Sequence, residues 1–266
     1  MTATSMPRHT AWPVALLAVT RRHALATFRT PAVIIMSVMQ SVVFLLIFRY
    51  VFGGAIGTAG LDYVQFLAPN LLVVSMLFSV IGVGGAVAED MGSGVTDRLK
   101  SLPIAPSAAI AGRSLAQLGL SALTLAVTAA VAVAVGFRPL SGVWGLLGVL
   151  GWCLLVALTF GWVFILAGVA TRNVQAAQGI GFVVLPFTFV SGAFVPAESM
   201  PEWLRGFADN QPVTVLVEAA RWLAHGDAGL VGAPHDGGYY VLVGLAWMAV
   251  ILLGSATVAI GLYRRR

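Results

Sequence analysis

The sequence predicts an all-α integral membrane protein: six transmembrane helices, an N-terminal amphipathic surface helix, and a re-entrant or interfacial helical hairpin between spans five and six. Three observations predict it. Of 266 residues, 59% are hydrophobic and only 9% charged, against roughly a quarter charged in a soluble domain, so lipid is the natural solvent for most of the surface. The apolar residues fall in six runs, each long enough to cross a bilayer core as a helix of about 20 residues. The Lys and Arg residues are distributed unevenly over the connections between those runs.

Residues 1–31 read as a tail followed by a helix lying in the membrane surface over 10–28. Trp12, Leu16 and Val19 share a face, with Arg21 and Arg22 off it. Pro13 suits a first helical turn, and Pro31 interrupts the chain before the first span. A disordered basic tail is the alternative. Ala24-Leu25-Ala26 mimics a signal-peptide cleavage site, but Arg21, Arg22 and His23 stand where such a signal is uncharged.

The spans run over 32–52, 64–88, 114–136, 143–169, 176–196 and 239–262. Alternate connections carry eleven of the fifteen Lys and Arg residues, including Arg21, Arg22, Lys100, Arg113, Arg172 and the C-terminal arginines. The other side has Arg49, Arg138, Arg205 and Arg221. The positive-inside rule makes the richer side cytoplasmic. The expected location is the plasma (inner) membrane, multi-pass, with both termini in the cytoplasm. The whole chain, 1–266, reads as a single transmembrane domain.

Residues 197–238 are too long for a structureless connection and read as the outer hairpin. Ser199 and Glu202 fit a capping box for its first helix, and Pro212 opens the second, which is too short to span. Glu218 and Arg221 break the second helix's apolar surface, and Trp203 and Trp222 are expected at headgroup depth. A small soluble cap is the alternative.

Several chemistries are excluded. The charges are dispersed between apolar runs, so no nucleic acid is expected as a partner. A lone cysteine, Cys153, permits no intrachain disulfide. Gly94 to Ser101 nearly matches a phosphate-binding loop, but Leu99 replaces its second glycine and Lys100 is the only lysine. None of the four histidines lies inside a span and no metal-protease motif occurs. No catalytic residue, metal or directly bound cofactor is expected.

Gln40, Asn70 and Gln117 are the main polar side chains within the spans. They either line a translocation path or, as is more common, hold helices together. Ala122, Ala126, Ala130 and Ala134 form a small-residue stripe suited to close helix packing. Pro69 and Pro186 are expected to kink spans two and five, with neighbours satisfying the freed carbonyls.

One cytoplasmic segment, 89–107, is elaborate. Glu89, Asp90, Asp97, Arg98 and Lys100 crowd into twelve residues, with Leu99 and Leu102 beside them and Pro103 and Pro106 after. Mixed charge with leucines beside it suits a protein partner better than a lipid surface, which favours mostly basic segments. A merely solvated connection is the alternative.

The run from Glu89-Asp90 through Asp97-Arg98-Leu99-Lys100-Ser101-Leu102-Pro103, continued by Ala111-Gly112-Arg113, resembles the signature of type-2 ABC transporter permeases, most closely the daunorubicin-resistance branch. Phe194-Val195-Pro196, Met200 to Leu204 and Asn210-Gln211-Pro212-Val213-Thr214 resemble that branch as well. The resemblance implies the membrane subunit of an ATP-driven exporter of an amphipathic drug, natural product or lipid. It implies pairing with a second permease (a homodimer or a paralogue) and with a cytoplasmic ABC ATPase that carries ATP and Mg. Asp97, Arg98, Leu99, Lys100, Leu102 and Pro103 would dock on the ATPase, with Glu89 and Asp90 at the hinge. Pro196, Trp203, Pro212 and Glu218 would belong to the outer gate hairpin. A stand-alone secondary transporter or channel is the alternative. It would want coupling-ion residues within spans or inverted repeats. A membrane-anchoring or assembly subunit is a third reading.

Overall fold

The computed structural model describes residues 11–51, 62–96, 104–191, 193–194, 201–230 and 233–265. Among them the regular structure is helical, in the order α1 (Trp12–Phe28), α2 (Pro31–Val51), α3 (Tyr63–Ser79), α4 (Ile81–Gly92), α5 (Pro106–Ala134), α6 (Gly142–Thr171), α7 (Val174–Phe189), α8 (Glu202–Asn210), α9 (Pro212–His225) and α10 (Gly237–Arg265). Five segments are long and apolar enough to cross a membrane: α2, α3 with α4, α5, α6 and α10. The chain is a multi-pass membrane protein.

The fifth expected span, 176–196, differs. Its helix α7 has 16 residues, about 24 Å at 1.5 Å per residue, shorter than the roughly 30 Å core. The second span also differs, because it is two helices. Val80 (φ −97°, ψ −7°) separates α3 from α4. Pro69 lies inside α3, and Pro186 inside α7.

The bundle has two chemically different ends. At one, which we call the charged end, α4 meets α5 through an ion pair of Asp90 with Arg113. His23 of α1 and Tyr263 near the end of α10 border the same small pocket. Gly84 of α4 touches Gly168 of α6, a turn before Arg172. Thus Arg113 and the C-terminal turn beside Arg264 come together there. At the other end, Arg138 bonds to Gln65 through its backbone N–H, and α9 folds back against α3.

Two kinds of contact hold the helices. The first is close approach through glycine, which lets backbones near one another where lipid offers no hydrophobic drive. A Cβ on Gly84 would sit 2.8 Å from the Phe164 carbonyl oxygen, and one on Gly168 would sit 2.3 Å from that of Gly84. The second is hydrogen bonding by small polar side chains, as between Ser79 and Ser121 at 3.1 Å. The buried side of α10 is a stripe at three- and four-residue steps, Gly237, Tyr240, Gly244, Met248, Ser255, Ala259 and Tyr263. That is one face of a helix, and it packs on α6 and α9. The alanine stripe of α5 does not serve in this way. Ala126, Ala130 and Ala134 are exposed, and α5 packs through Ser121, Thr124, Thr128 and Ala132 instead.

Helix α1 is held tightly. Its Ala15 and Val19 are buried, and a Cβ on Gly112 of α5 would lie 2.9 Å from Val19 Cβ. Trp12 Nε1 donates to Ser107 Oγ at 3.3 Å. Trp12, Val14, Leu17, Leu25 and Phe28 remain exposed. Gly112→Leu is therefore expected to lift α1 from α5 and speed tryptic cleavage after Arg21 or Arg22 severalfold. Gly119→Leu, whose Cβ would meet nothing within 4 Å, should leave the rate unchanged. Limited proteolysis in detergent reads both.

Candidate functional site: a polar cavity and a buried ion pair

A cavity of about 740 Å³ lies at the charged end, walled by α1, α2, α4 and α5 together with the last turn of α3. It exists because α2 barely packs. Only Ser41 and Leu45 of α2 are buried, so its inner half stands off from its neighbours while α1 closes the space beside it. Gln40 and Gln117, two of the three expected path residues, both line it. Gln117 also has a structural task, since its Nε2 donates to the Ser79 carbonyl at 3.0 Å. That carbonyl lies at the α3–α4 break, where the helical ladder is interrupted.

Glu89 and Asp90, expected at the hinge of the docking segment, lie at the end of α4 on the wall of this cavity. Asp90 pairs with Arg113, and its carbonyl accepts from Thr96 Oγ1 at 3.3 Å. Glu89 is exposed toward the opening. His23 borders the cavity from α1. Burial, with help from the Arg113 and Arg22 charges, lowers its pKa to about 4, so it is neutral at pH 7. Asp97, Arg98, Leu99, Lys100, Leu102 and Pro103 lie outside the described residues, as does Pro196.

A smaller void bordered by Gln40, Phe44 and Phe78 continues from the cavity along α2. Another, nearer the opposite end, is bordered by Leu45, Arg49 and Ala132. Gln40 borders both the cavity and the first of these voids.

Asn70 is not part of this site. It is fully buried in α3, near the opposite end, in a cluster that sequence reasoning did not assemble. Its Nδ2 donates to the Ala193 carbonyl at 2.9 Å, and its Oδ1 accepts from Arg221 Nε at 3.4 Å. Arg221 Nη2 pairs with Glu218 Oε1 at 2.8 Å, with side chains only 4% and 10% exposed. The guanidinium carbon lies 4.1 Å from the Phe66 ring centroid, a cation–π contact. Charges this deep persist only when paired.

The second helix of the hairpin therefore lies inside the bundle. Helix α9 is buried from Val213 through Arg221 and packs on α3, α6 and α10. Pro212 stands at its first position, and Gln211 Nε2 caps the Phe187 carbonyl at 2.9 Å. Trp152 Nε1 of α6 donates to the Leu216 carbonyl at 2.9 Å. Helix α8 stays outside, and Trp203 is 80% exposed. Pro201 precedes α8 with no side-chain cap, and Ser199 lies outside the described residues. Trp222, expected among headgroups, is half-buried and donates to Asp227 at 3.1 Å.

His225 completes the assembly. Pro69 has no N–H, so the Gln65 carbonyl four residues earlier loses its helical partner. His225 Nε2 supplies one at 2.8 Å, and its Nδ1 lies 3.4 Å from the Leu140 N–H. Donating on one nitrogen and accepting on the other is the pattern of a neutral imidazole. The sequence signals were present: a proline inside a span, and a Glu–Arg pair three residues apart on one helix face.

The sequence profile of the ABC-2 type transporter family matches residues 14–224. A daunorubicin resistance ABC transporter permease of Streptomyces coeruleorubidus is 32% identical over 241 residues, covering 89% of this chain and 81% of that protein. A doxorubicin resistance ABC transporter permease of Mycobacterium tuberculosis is 28% identical over 176 residues, covering 65% of this chain and 60% of that protein. With the family match reaching from the cavity's α1 wall to the end of the buried hairpin, this multi-pass helical chain belongs to the ABC-2 type transporter permeases.

Proposed function

We propose that this chain is the membrane-spanning subunit of an ATP-driven exporter and forms the path of an amphipathic cargo. ATP and Mg bind on a separate cytoplasmic ABC ATPase, and a second permease completes the pore. The observation that carries the reading is the family match across most of the bundle, and the two relatives named above are drug-resistance permeases.

In this reading α7 is the sixth crossing. Its first half lies beside α4, where a Cβ on Gly181 would sit 2.3 Å from Ile81 Cγ2. Its far end is tied to Gln211 at the hairpin end, and Ala193, four residues beyond it, is tied to Asn70. The helix runs between the two ends and stops short where α9 re-enters. Six crossings put both termini on one side, and the excess of Arg puts that side in the cytoplasm. The charged end then faces the ATPase, and the hairpin faces outward as a gate.

In the sequence, residues 97–103 come four residues after the end of α4, so in this reading a push on the docking segment reaches the cavity wall through Glu89 and Asp90. The test is co-purification from membranes in mild detergent. Tagged wild type is expected to bring down an ATPase chain, and Asp97→Lys and Leu102→Asp to lose it while remaining folded. No ATPase with wild type across several detergents would overturn the reading.

A further inference from the structure

We propose that Asp90 and Arg113 are positioning residues for the docking segment: their ion pair clamps the two ends of 97–103 at a fixed separation, so that the segment meets its protein partner already aligned. The partner's identity rests on the exporter reading, but the clamp is defined by the helix ends alone.

Each end of the segment is anchored on a different body. Before it, the chain folds back on the last turn of α4. The Ser93 N–H donates to the Glu89 carbonyl at 2.9 Å, and the Ser93 and Thr96 hydroxyls donate to the Asp90 carbonyl at 3.4 and 3.3 Å. After it, Ser107 in the first turn of α5 accepts from Trp12 Nε1 of α1, and Gly112 is seated against Val19. The entry therefore belongs to α4, and the exit to α5 with α1.

Those two bodies hardly meet directly. Both lean on α6, while α4 also packs on α7 and α5 on α1 and α2. Between α4 and α5 themselves there is no extended contact. What joins them is a side-chain bond, Arg113 Nη1 donating to Asp90 Oδ2. Both residues border the large cavity, and both border the smaller void with Thr96, Ala109 and Tyr263, so the pair bridges a gap between the helices. Arg113 and Asp90 are 17% and 31% exposed, which leaves their attraction less screened than on an open surface. Glu89 also attracts Arg113, and Arg22 of α1 repels it. Both forces favour a guanidinium held at the acidic end of α4. Asp90 thus acts at two points, its carbonyl on Thr96 and its carboxylate on Arg113. A loop whose ends can part must be ordered when a partner binds, which weakens the binding.

The experiment is tryptic cleavage of the purified full chain in mild detergent, with the fragments identified by mass. Cleavage after Arg98 and Lys100 reports on the docking segment. Cleavage after Arg172, exposed between α6 and α7 at the same end, reports on the bundle. Asp90→Asn and Arg113→Gln are each expected to speed cleavage in the segment about fivefold or more, with the rate after Arg172 unchanged. The double variant should be cleaved no faster than the faster single variant, because either loss opens the same clamp. ATPase co-purification should fall severalfold in all three.

Wild-type cleavage rates in the single variants would overturn the proposal, as would rate increases that multiply in the double variant, the mark of two independent contacts. Equal acceleration after Arg172 would also overturn it, since that is general loosening of the bundle. The two readings fail separately. Selective release of the segment, with no ATPase brought down by wild type, removes the exporter reading and leaves the clamp. An ATPase brought down equally by wild type and all three variants removes the positioning role alone.

Discussion

Replacing Arg221 by alanine is expected to cost about 3–5 kcal/mol, the typical cost of breaking a buried ion pair. Glu218 would lose its 2.8 Å partner in a site with almost no solvent. Asn70 would lose the donor at its Oδ1, and Phe66 its overlying guanidinium. The readout is the thermal midpoint of the purified protein, which should fall by on the order of 10 °C, together with the folded yield. Glu218→Gln alone should cost less, because the amide oxygen can still accept from Arg221, which keeps its contacts with Asn70 and Phe66. The double variant Glu218→Gln with Arg221→Met should recover much of the loss, since paired removal of a buried ion pair by side chains of similar volume is often nearly neutral. Arg138, exposed at the same end, is the control, and its alanine variant should change little. A single Arg221→Ala as stable as wild type would show that the pair does not hold α9 in place.

Gly168→Leu is expected to have the second large effect, and it acts on coupling as well as stability. The Cβ alone would lie 2.3 Å from the Gly84 carbonyl oxygen and 2.8 Å from Val87 Cβ. Backbone atoms of a neighbouring helix cannot yield as a flexible side chain can, so α4 and α6 must separate. Overpacking of this kind costs about 1–3 kcal/mol or more. Helix α4 carries Glu89 and Asp90 and leads into the docking segment. The variant should therefore lose ATPase co-purification along with thermal stability, with Gly168→Ala intermediate. Gly151→Leu, in the same helix but with nothing within 4 Å of its Cβ, should retain both. Normal co-purification by Gly168→Leu would show that the α4–α6 contact does not position the segment.

Much of the architecture was legible before any coordinates. The apolar runs became helices because the bilayer leaves the backbone no other way to satisfy itself in a single segment. Arg22 and Arg113, far apart in the chain, come close together at one end of the bundle. The residues of the polar sites were legible as types but not as groups. Gln40, Asn70 and Gln117 look equivalent in the sequence, each a lone amide in an apolar helix. In the structure Gln40 and Gln117 border one cavity, while Asn70 belongs with Arg221 toward the other end. The second hairpin helix was read as interfacial or re-entrant because Glu218 and Arg221 interrupt its apolar surface. Three residues apart, they neutralise one another, and that lets the helix enter the core.

Composition, run length and the placement of arginine were enough to specify a multi-pass helical protein, since lipid imposes those requirements on any chain that crosses it. They could not specify which side of each helix faces protein. In water an apolar stripe must be buried, but in a bilayer lipid solvates an apolar face about as well as a neighbouring helix does. The choice fell to short-range contacts between distant parts of the chain. Gly84 fits against Gly168, Gly112 against Val19, and His225 against the carbonyl that Pro69 left unpaired. For the same reason the cavity beside α2 has no signature in the sequence of α2, because it is bounded by what the neighbouring helices do.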